Sequence, residues 1–199
     1  MSRRALVTWG GWDGHRPEEC AAWAVELLRG NGFDVTVTDS LAPLLDPFAA
    51  NELDLLVPVW SIADAPDEEL DALVALVARG TGLAAFHGAA ATFRRHQGYH
   101  RVVGGQFVWH PEELAYDVEL AGGSSFGVHT EQYYLHVDPA NEVLATTRFG
   151  DGTVMPVAWR RQWGEGRVFY SSLGHAPEVL ALEPVRALFE DGALWAARR

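Results

Sequence analysis

The stretch "GLAAFHG", residues 82–88, decides how the chain is organised. Four apolar residues, from Leu83 to Phe86, run directly into His87 and Gly88. An uninterrupted apolar run of this length, bounded by glycines, is typical of a strand buried on both faces of a parallel sheet. A buried imidazole needs a polar partner. We therefore predict a parallel sheet with a polar site where this strand ends.

Strand and helix patterns alternate on the N-terminal side of this stretch. Predicted strands cover residues 5–9, 34–39 and 53–60, and predicted helices cover 17–30 and 66–80. The first helix begins with Pro17, has two acidic residues in its first turn and ends at a glycine. Such alternation predicts right-handed βαβ units and a parallel sheet with helices on both faces. Only Pro58 is awkward for a central strand.

The C-terminal side is richer in strand patterns. Predicted strands cover residues 115–120, 131–137, 142–149, 156–163 and 166–174, and the last two are joined by "GEG", which indicates a hairpin. A final helix is predicted over 183–197, although Gly192 weakens its pattern. With no repeat or linker in the sequence, we expect residues 1–199 to form a single α/β domain with an antiparallel strand extension.

The composition limits the classes of partner. The chain has 199 residues and a formal net charge of −12, which disfavours nucleic acid and anionic membranes because both require Lys or Arg to neutralise phosphate. The single cysteine, Cys20, forms no internal disulfide and no CxxC pair. We expect a cytoplasmic protein with a small-molecule ligand, no nucleic acid and no membrane. A homodimer of this chain is a further expectation, because the predicted terminal helix carries a Trp.

Polar and aromatic residues follow the predicted parallel strands. Ligands of open α/β sheets bind at the carboxyl ends of the strands, and the residues found there are Trp12, Asp13, His15, Trp60, His87, Gly88 and His175. His110 and Glu131 also lie at predicted loop or strand-end positions. Imidazoles with a carboxylate are ligands of zinc, manganese or iron, and they also transfer protons without a metal. The aromatic rings of Trp12, Trp60 and Tyr133 would suit sugar rings, although a Trp-rich core is the alternative.

Two other chemistries are less well supported. The turn "FHGAAATF" offers neither Ser nor Cys as a nucleophile, and Cys20 falls inside the first predicted helix. The glycines of "TWGGWDG" match neither of the common phosphate-binding patterns. We therefore expect neither covalent Ser or Cys catalysis nor a nucleotide cofactor.

Four blocks of the sequence carry a resemblance to a known family. These are "FHGAAATFR", "YHRVVGGQFVWHP", "HTEQYYLHVDP" and "MPVAWRRQWGEGRVFYSSLGH", and together they resemble the ThuA-like (trehalose-utilisation) family along almost the whole chain. That family is similar to class I glutamine amidotransferase domains, which implies a flavodoxin-like, doubly wound, mostly parallel sheet with a pocket at the elbow after the fourth parallel strand. Amidotransferases carry a catalytic cysteine at that elbow, whereas this chain has "HGA". The resemblance therefore implies no glutaminase activity.

The resemblance also implies a ligand. A tie to disaccharide catabolism implies a glycoside or 3-keto-glycoside, cleaved by metal- or histidine-assisted elimination or hydrolysis. From the imidazoles at one sheet edge we expect His15, His87, His110 and His175 to be metal ligands, for a divalent transition metal such as zinc or manganese. The expected catalytic residues are His87, Glu131 and His175, and the expected substrate-binding residues are Trp12, Trp60, Gly88, Tyr133 and Arg160. The alternative is a non-catalytic carbohydrate-binding or regulatory domain on an amidotransferase-like scaffold.

Overall fold

A nine-stranded sheet runs through the computed structural model, which describes residues 2–198. In chain order the strands are β1 (Arg3–Gly11), β2 (Phe33–Thr38), β3 (Leu55–Ser61), β4 (Gly82–Phe86), β5 (Gly105–Trp109), β6 (Leu114–Leu120), β7 (Ser125–Thr130), β8 (Tyr134–Val137), β9 (Glu142–Arg148), β10 (Val154–Trp163) and β11 (Gly166–Ser171). The order across the large sheet is β2-β1-β3-β4-β11-β10-β9-β6-β7. The first five strands in that order, β2, β1, β3, β4 and β11, pair in parallel. The other four, β10, β9, β6 and β7, pair antiparallel with their neighbours. Strands β5 and β8 form a separate antiparallel pair.

Helices cover both faces of the sheet. They are α1 (Pro17–Gly30), α2 (Pro47–Ala50), α3 (Asp67–Ala78), α4 (Gln97–Val103), α5 (Pro177–Leu180) and α6 (Glu183–Ala196). Alternate residues of each central strand contribute to different cores: Ala5 and Val7 pack with α1 and α6, whereas Leu6 packs with α3 and α4. Burial on both faces explains why these strands are continuous apolar runs. The predicted α/β fold, with its flavodoxin-like parallel sheet and antiparallel extension, is confirmed.

One predicted strand was wrong at its start. Residues 131–133 precede β8 and lie in the connection from β7, so the strand predicted over 131–137 begins only at Tyr134. The Gln132 side chain donates hydrogen bonds to Thr147 Oγ1 and to the carbonyl of Arg148, which fixes this connection against β9. Glu131 is therefore held in a loop at the edge of the sheet.

Pro58 causes no conflict in β3. Pairing between β3 and β4 is limited to Leu55 and Leu56, so the ladder on that side ends before the proline. On its other side β3 pairs with β1 over its full length. Within the described residues, no helix combines the length and the apolar character needed to cross a bilayer.

Gly192 has a packing role in α6. A Cβ at this position would lie 2.3 Å from the ring of Phe169 in β11, so the glycine lets the helix approach the sheet closely. We expect Gly192→Ala to lower the free energy of unfolding by about 1–3 kcal/mol through overpacking. Gly30→Ala in α1 is the matched control, because a Cβ there would meet no atom within 4 Å, and it should be neutral or stabilising by up to about 1 kcal/mol. Equal urea midpoints for the two variants would refute this account of Gly192.

Candidate functional site

The end of β4 forms a tight elbow. The strand passes directly into a 3₁₀ helix at His87–Ala90, and His87 has a φ of 42°, in the left-handed region. A Cβ on Gly88 would lie 2.3 Å from Ser61 Cβ. Glycine is therefore required at 88 by the close approach of the elbow to β3.

Four side chains converge beside this elbow. His15 follows β1, His87 directly follows β4, His175 follows β11, and Glu131 lies between β7 and β8. Each offers one ligand atom, and these atoms all lie within 4.8 Å of one another. His87 Nε2 is 3.3 Å from Glu131 Oε2, and His175 Nδ1 is 3.4 Å from Glu131 Oε1. The structure thus brings together three of the predicted imidazoles and the predicted carboxylate.

The tautomer of His87 follows from its partners. Its Nδ1 lies 3.0 Å from the carbonyl of Ser172, which can only accept, so Nδ1 carries the proton. Nε2 then has a free lone pair, which accepts a hydrogen bond of 2.9 Å from the hydroxyl of Tyr133. The Ser172 carbonyl therefore orients His87 so that its basic nitrogen faces the cluster.

Several buried atoms of the cluster have no hydrogen-bond partner among residues 2–198: His15 Nδ1, His175 Nδ1 and Glu131 Oε2.

Burial and the neighbouring imidazoles lower the pKa of His15 to about 3, and burial also lowers the pKa of His87. Burial by itself would raise the pKa of Glu131, but the His175 and His87 rings hold it well below its usual range. Interaction with Glu131 raises the pKa of His175. At neutral pH the cluster thus offers two neutral imidazoles, His15 and His87, beside a carboxylate that favours the protonated form of His175.

His110 lies at the edge of the cluster and outside the tight group of four. Its Nε2 is 3.4 Å from Glu131 Oε1, and its Nδ1 is 2.6 Å from the carbonyl of Pro111. The carbonyl places the proton on Nδ1, so Nε2 has the lone pair. The side chain is one-third exposed, which suits it to contact with a ligand more than to enclosure around an ion.

A cleft of about 600 Å³ opens onto the cluster. Its walls include Trp12, His15, Ile62, Phe107, His110 and Tyr133. Trp12 is half exposed, and its ring meets His15 edge-on with centroids 4.8 Å apart. Aromatic faces, imidazoles and a carboxylate therefore share one cavity of a size that small-molecule sites commonly have.

Backbone strain is concentrated around the cleft. Among the described residues, positive φ angles at non-glycine positions occur at Arg16, Ile62, His87 and Phe93. Ile62 is the most unfavourable of these, since a β-branched residue rarely adopts a φ of 48°. Such strain persists where the surrounding structure imposes it, and it is common at functional sites.

Three predicted substrate-binding residues, Trp60, Gly88 and Arg160, lie outside the cleft wall, and Gly88 is packed against Ser61 at the elbow. Trp60 is the second-last residue of β3, where its Nε1–H donates to Thr8 Oγ1 at 3.0 Å and its ring packs on Phe93. Arg160 forms a two-pronged ion pair with Glu142 and lies over the ring of Trp195. It pairs with Phe169, two residues before β11 ends, so the structure does not bring it to the cluster.

Other side chains near the site were missed by the sequence reasoning. Glu113 Oε1 lies 3.2 Å from His175 Nε2, on the side of the ring away from Glu131. The signal for it was its position three residues after His110, in "HPEE". Arg94 and Arg95 also line the cleft and directly follow the elbow segment.

The remaining histidines and the cysteine lie elsewhere. His96 caps α4, accepting from the Tyr99 backbone N–H, His100 is half-buried beside the carbonyl of Gly105, and His129 and His136 are exposed. Burial raises the pKa of the Cys20 thiol to about 12, and its Sγ contacts the carbonyl of His15 from within α1. The thiol therefore stays protonated at neutral pH.

Comparisons with known proteins agree with this architecture. A family model described as ThuA, trehalose utilisation, matches residues 4–196. A ThuA-like protein from Parabacteroides merdae has a similar fold, with a TM-score of 0.81 and 16% identity over 98% of this chain and 89% of that one. A ThuA-like protein from Bacteroides uniformis gives a TM-score of 0.75 and 18% identity over 96% and 89% of the two chains. A β-galactosidase from Bacillus circulans gives a TM-score of 0.65 and 12% identity over 98% of this chain and 30% of the β-galactosidase chain. No curated protein matches.

Proposed function

This chain belongs to the ThuA, or trehalose-utilisation, family, and we propose that it acts on a glycoside or 3-keto-glycoside by metal-assisted elimination or hydrolysis. Family membership supports a sugar-related role. The observation that carries the rest is the cluster of His15, His87, His175 and Glu131 at the foot of the cleft.

A divalent transition metal fits the donors of this cluster. Imidazole and carboxylate are the ligands of zinc and manganese. The buried, unpartnered atoms at His15, His175 and Glu131 would be satisfied by a cation. His87 and His175 approach the two oxygens of Glu131 at 3.3 and 3.4 Å, and the four ligand atoms lie within 4.8 Å of one another, so the side chains are grouped closely enough to bind one ion. His15, His87, His175 and Glu131 would hold the ion, which would supply Lewis-acid polarisation of a substrate oxygen.

The residues of the cleft would bind and orient the sugar. Trp12 and Phe107 offer aromatic surface for the apolar face of a sugar ring. Burial raises the pKa of Tyr133 well above its usual value, so its hydroxyl keeps its proton and acts as a hydrogen-bond donor. With His87 engaged by the ion, that donor would be available for a substrate oxygen.

His110 is the residue best placed for proton transfer. His110 and Glu131 both line the cleft, and His110 Nε2 lies 3.4 Å from Glu131 Oε1, whose charge would stabilise the imidazolium. On a 3-keto-glycoside, His110 would remove the proton on C2, beside the ketone. The C–H electron pair then forms the C1–C2 double bond as the C1–O bond breaks, and the imidazolium returns its proton to the departing oxygen. Addition of water to the double bond completes the exchange of alcohol for hydroxyl.

A turnover assay tests this proposal. The purified protein, loaded with zinc or manganese, is incubated with 3-keto-trehalose and with trehalose, and the released sugar is quantified. We expect turnover that chelation removes and that added metal restores. Turnover unaffected by complete metal removal would contradict metal assistance. Saturable sugar binding without any product would instead favour the non-catalytic carbohydrate-binding domain.

A further inference from the structure

Two consecutive arginines are held at the wall of the cleft by a fixed turn. Arg94 and Arg95 line the cavity and are exposed. They follow Phe93, which is buried, has a φ of 50° and donates its backbone N–H to the carbonyl of Ala63 at 2.8 Å. The Thr92 side chain makes two further hydrogen bonds to the backbone of Ala63. The backbone that carries both guanidinium groups is therefore anchored to the loop after β3.

Neither arginine is neutralised by the protein. Within residues 2–198, no carboxylate oxygen lies within 4 Å of either guanidinium, and Arg95 has no hydrogen-bond partner. Arg94 donates one hydrogen bond, of 2.9 Å, to the carbonyl of Phe107. Asp64 lines the same cleft but forms no ion pair with them. Elsewhere among the described residues, carboxylates pair with Arg4, Arg16, Arg160, Arg161 and Arg186, whereas Arg29, Arg79, Arg101 and Arg148 form no ion pair either but do not line this cleft. In a chain with a net charge of −12, two neighbouring guanidinium groups without a carboxylate partner at one cavity favour an anionic ligand.

Arg94 lies close to the end of the cleft that His110 occupies, and Arg95 follows it on the same wall. Arg94 Cζ is 5.8 Å from the centroid of the Phe107 ring, and the His110 ring is 5.7 Å from the same centroid. A single ligand packed along Phe107 would therefore reach both residues. Guanidinium groups bind carboxylate and phosphate oxygens through paired N–H donors, and these charge-assisted bonds are stronger than those to hydroxyls.

We infer that the sugar ligand carries an anionic group, a carboxylate or a phosphate, that Arg94 and Arg95 bind. This inference rests on the proposed function, because it takes the cleft to be the sugar site. The inference further predicts that uncharged sugars bind this cleft more weakly than anionic sugars do.

Calorimetric titration of the metal-loaded protein with D-glucuronate, D-glucose 6-phosphate and D-glucose tests the inference. We expect at least one of the anionic sugars to bind ten times or more as tightly as glucose, and the tighter of the two identifies carboxylate or phosphate. The variants Arg94→Gln and Arg95→Gln should each weaken that binding roughly 10- to 100-fold. Arg79→Gln is the matched control, since Arg79 is exposed, donates from its side chain to Asn51 and lies outside the cleft.

Three outcomes would overturn the inference. If glucose bound as tightly as both anionic sugars, the ligand would not need an anionic group. The proposed sugar-related function would be unaffected by that result. A preference for anionic sugars that survives both substitutions would show that another cation, such as the bound metal, is responsible. The absence of binding by all three sugars, combined with the absence of turnover of 3-keto-trehalose, would overturn the proposed function as well.

Discussion

Glu131→Gln is expected to remove bound zinc or manganese and to abolish metal-dependent turnover. Glu131 is the one described residue that touches three imidazoles, with oxygens 3.3 Å from His87 and 3.4 Å from both His110 and His175. It is 8% exposed, so its charge acts in a poorly solvated environment. Glutamine keeps the shape but removes the negative charge that the cation requires. We expect metal affinity to fall by more than the roughly 10- to 100-fold typical of losing a residue that only orients a ligand.

The measurements are metal content by mass spectrometry and zinc affinity by calorimetry, with circular dichroism to verify folding. Glu113→Gln provides a milder change for comparison, because Glu113 contacts His175 from the other side. This variant should lower metal affinity only by the roughly 10- to 100-fold typical of a residue that orients a ligand. Glu142→Gln is the control, since that carboxylate pairs with Arg160 away from the cluster. A folded Glu131→Gln variant that retained one metal per chain with unchanged affinity would contradict the proposed site.

The central part of the fold follows from the sequence because two simple rules govern it. Side chains alternate across a strand, and strands buried on both faces must be apolar throughout. Together with the helix signals at Pro17 and in 66–80, these rules predict the parallel strands, whose carboxyl ends must meet at one edge. His15, His87 and His175 were found in this way, by position alone.

The rest of the site depends on contacts that no periodic pattern encodes. Glu131 was predicted in a strand, because "EQYYLHV" has strand character, yet Gln132 is drawn into hydrogen bonds with β9 and the strand starts later. Trp60 was expected at the very end of the strand predicted over 53–60, but β3 continues to Ser61, and a Cβ at Gly10 would lie only 2.5 Å from the Trp60 ring. Long-range pairing therefore decides which aromatic residues face the cleft.

Arg160 illustrates the limit of a motif. Its place in "PVAWRRQWGEG" is part of the resemblance to the family, but the register of β10 on β11 puts it beside Phe169 and within reach of Glu142. A sequence block fixes neither register nor ion-pair partner, so the motif gave no information on which end of the strand the guanidinium occupies.

His110→Gln is expected to lower kcat on 3-keto-trehalose by roughly 10²- to 10⁴-fold, the range typical of losing a general acid–base residue, while metal content is unchanged. The reason is positional: His110 lines the cleft and contacts Glu131, but it lies outside the group of four whose ligand atoms are mutually within 4.8 Å. Glutamine can still hydrogen-bond but cannot accept the proton from C2.

The comparison of metal content with kcat separates the two roles that the sequence left open for His110. His136→Gln is the matched control, because His136 is exposed on β8 and outside the cleft wall, and it should leave both quantities unchanged. Turnover within tenfold of the parent protein would exclude His110 as the base. Loss of metal along with turnover would make His110 a ligand, as the sequence predicted, and the proton would then have to be taken by another group at the cleft.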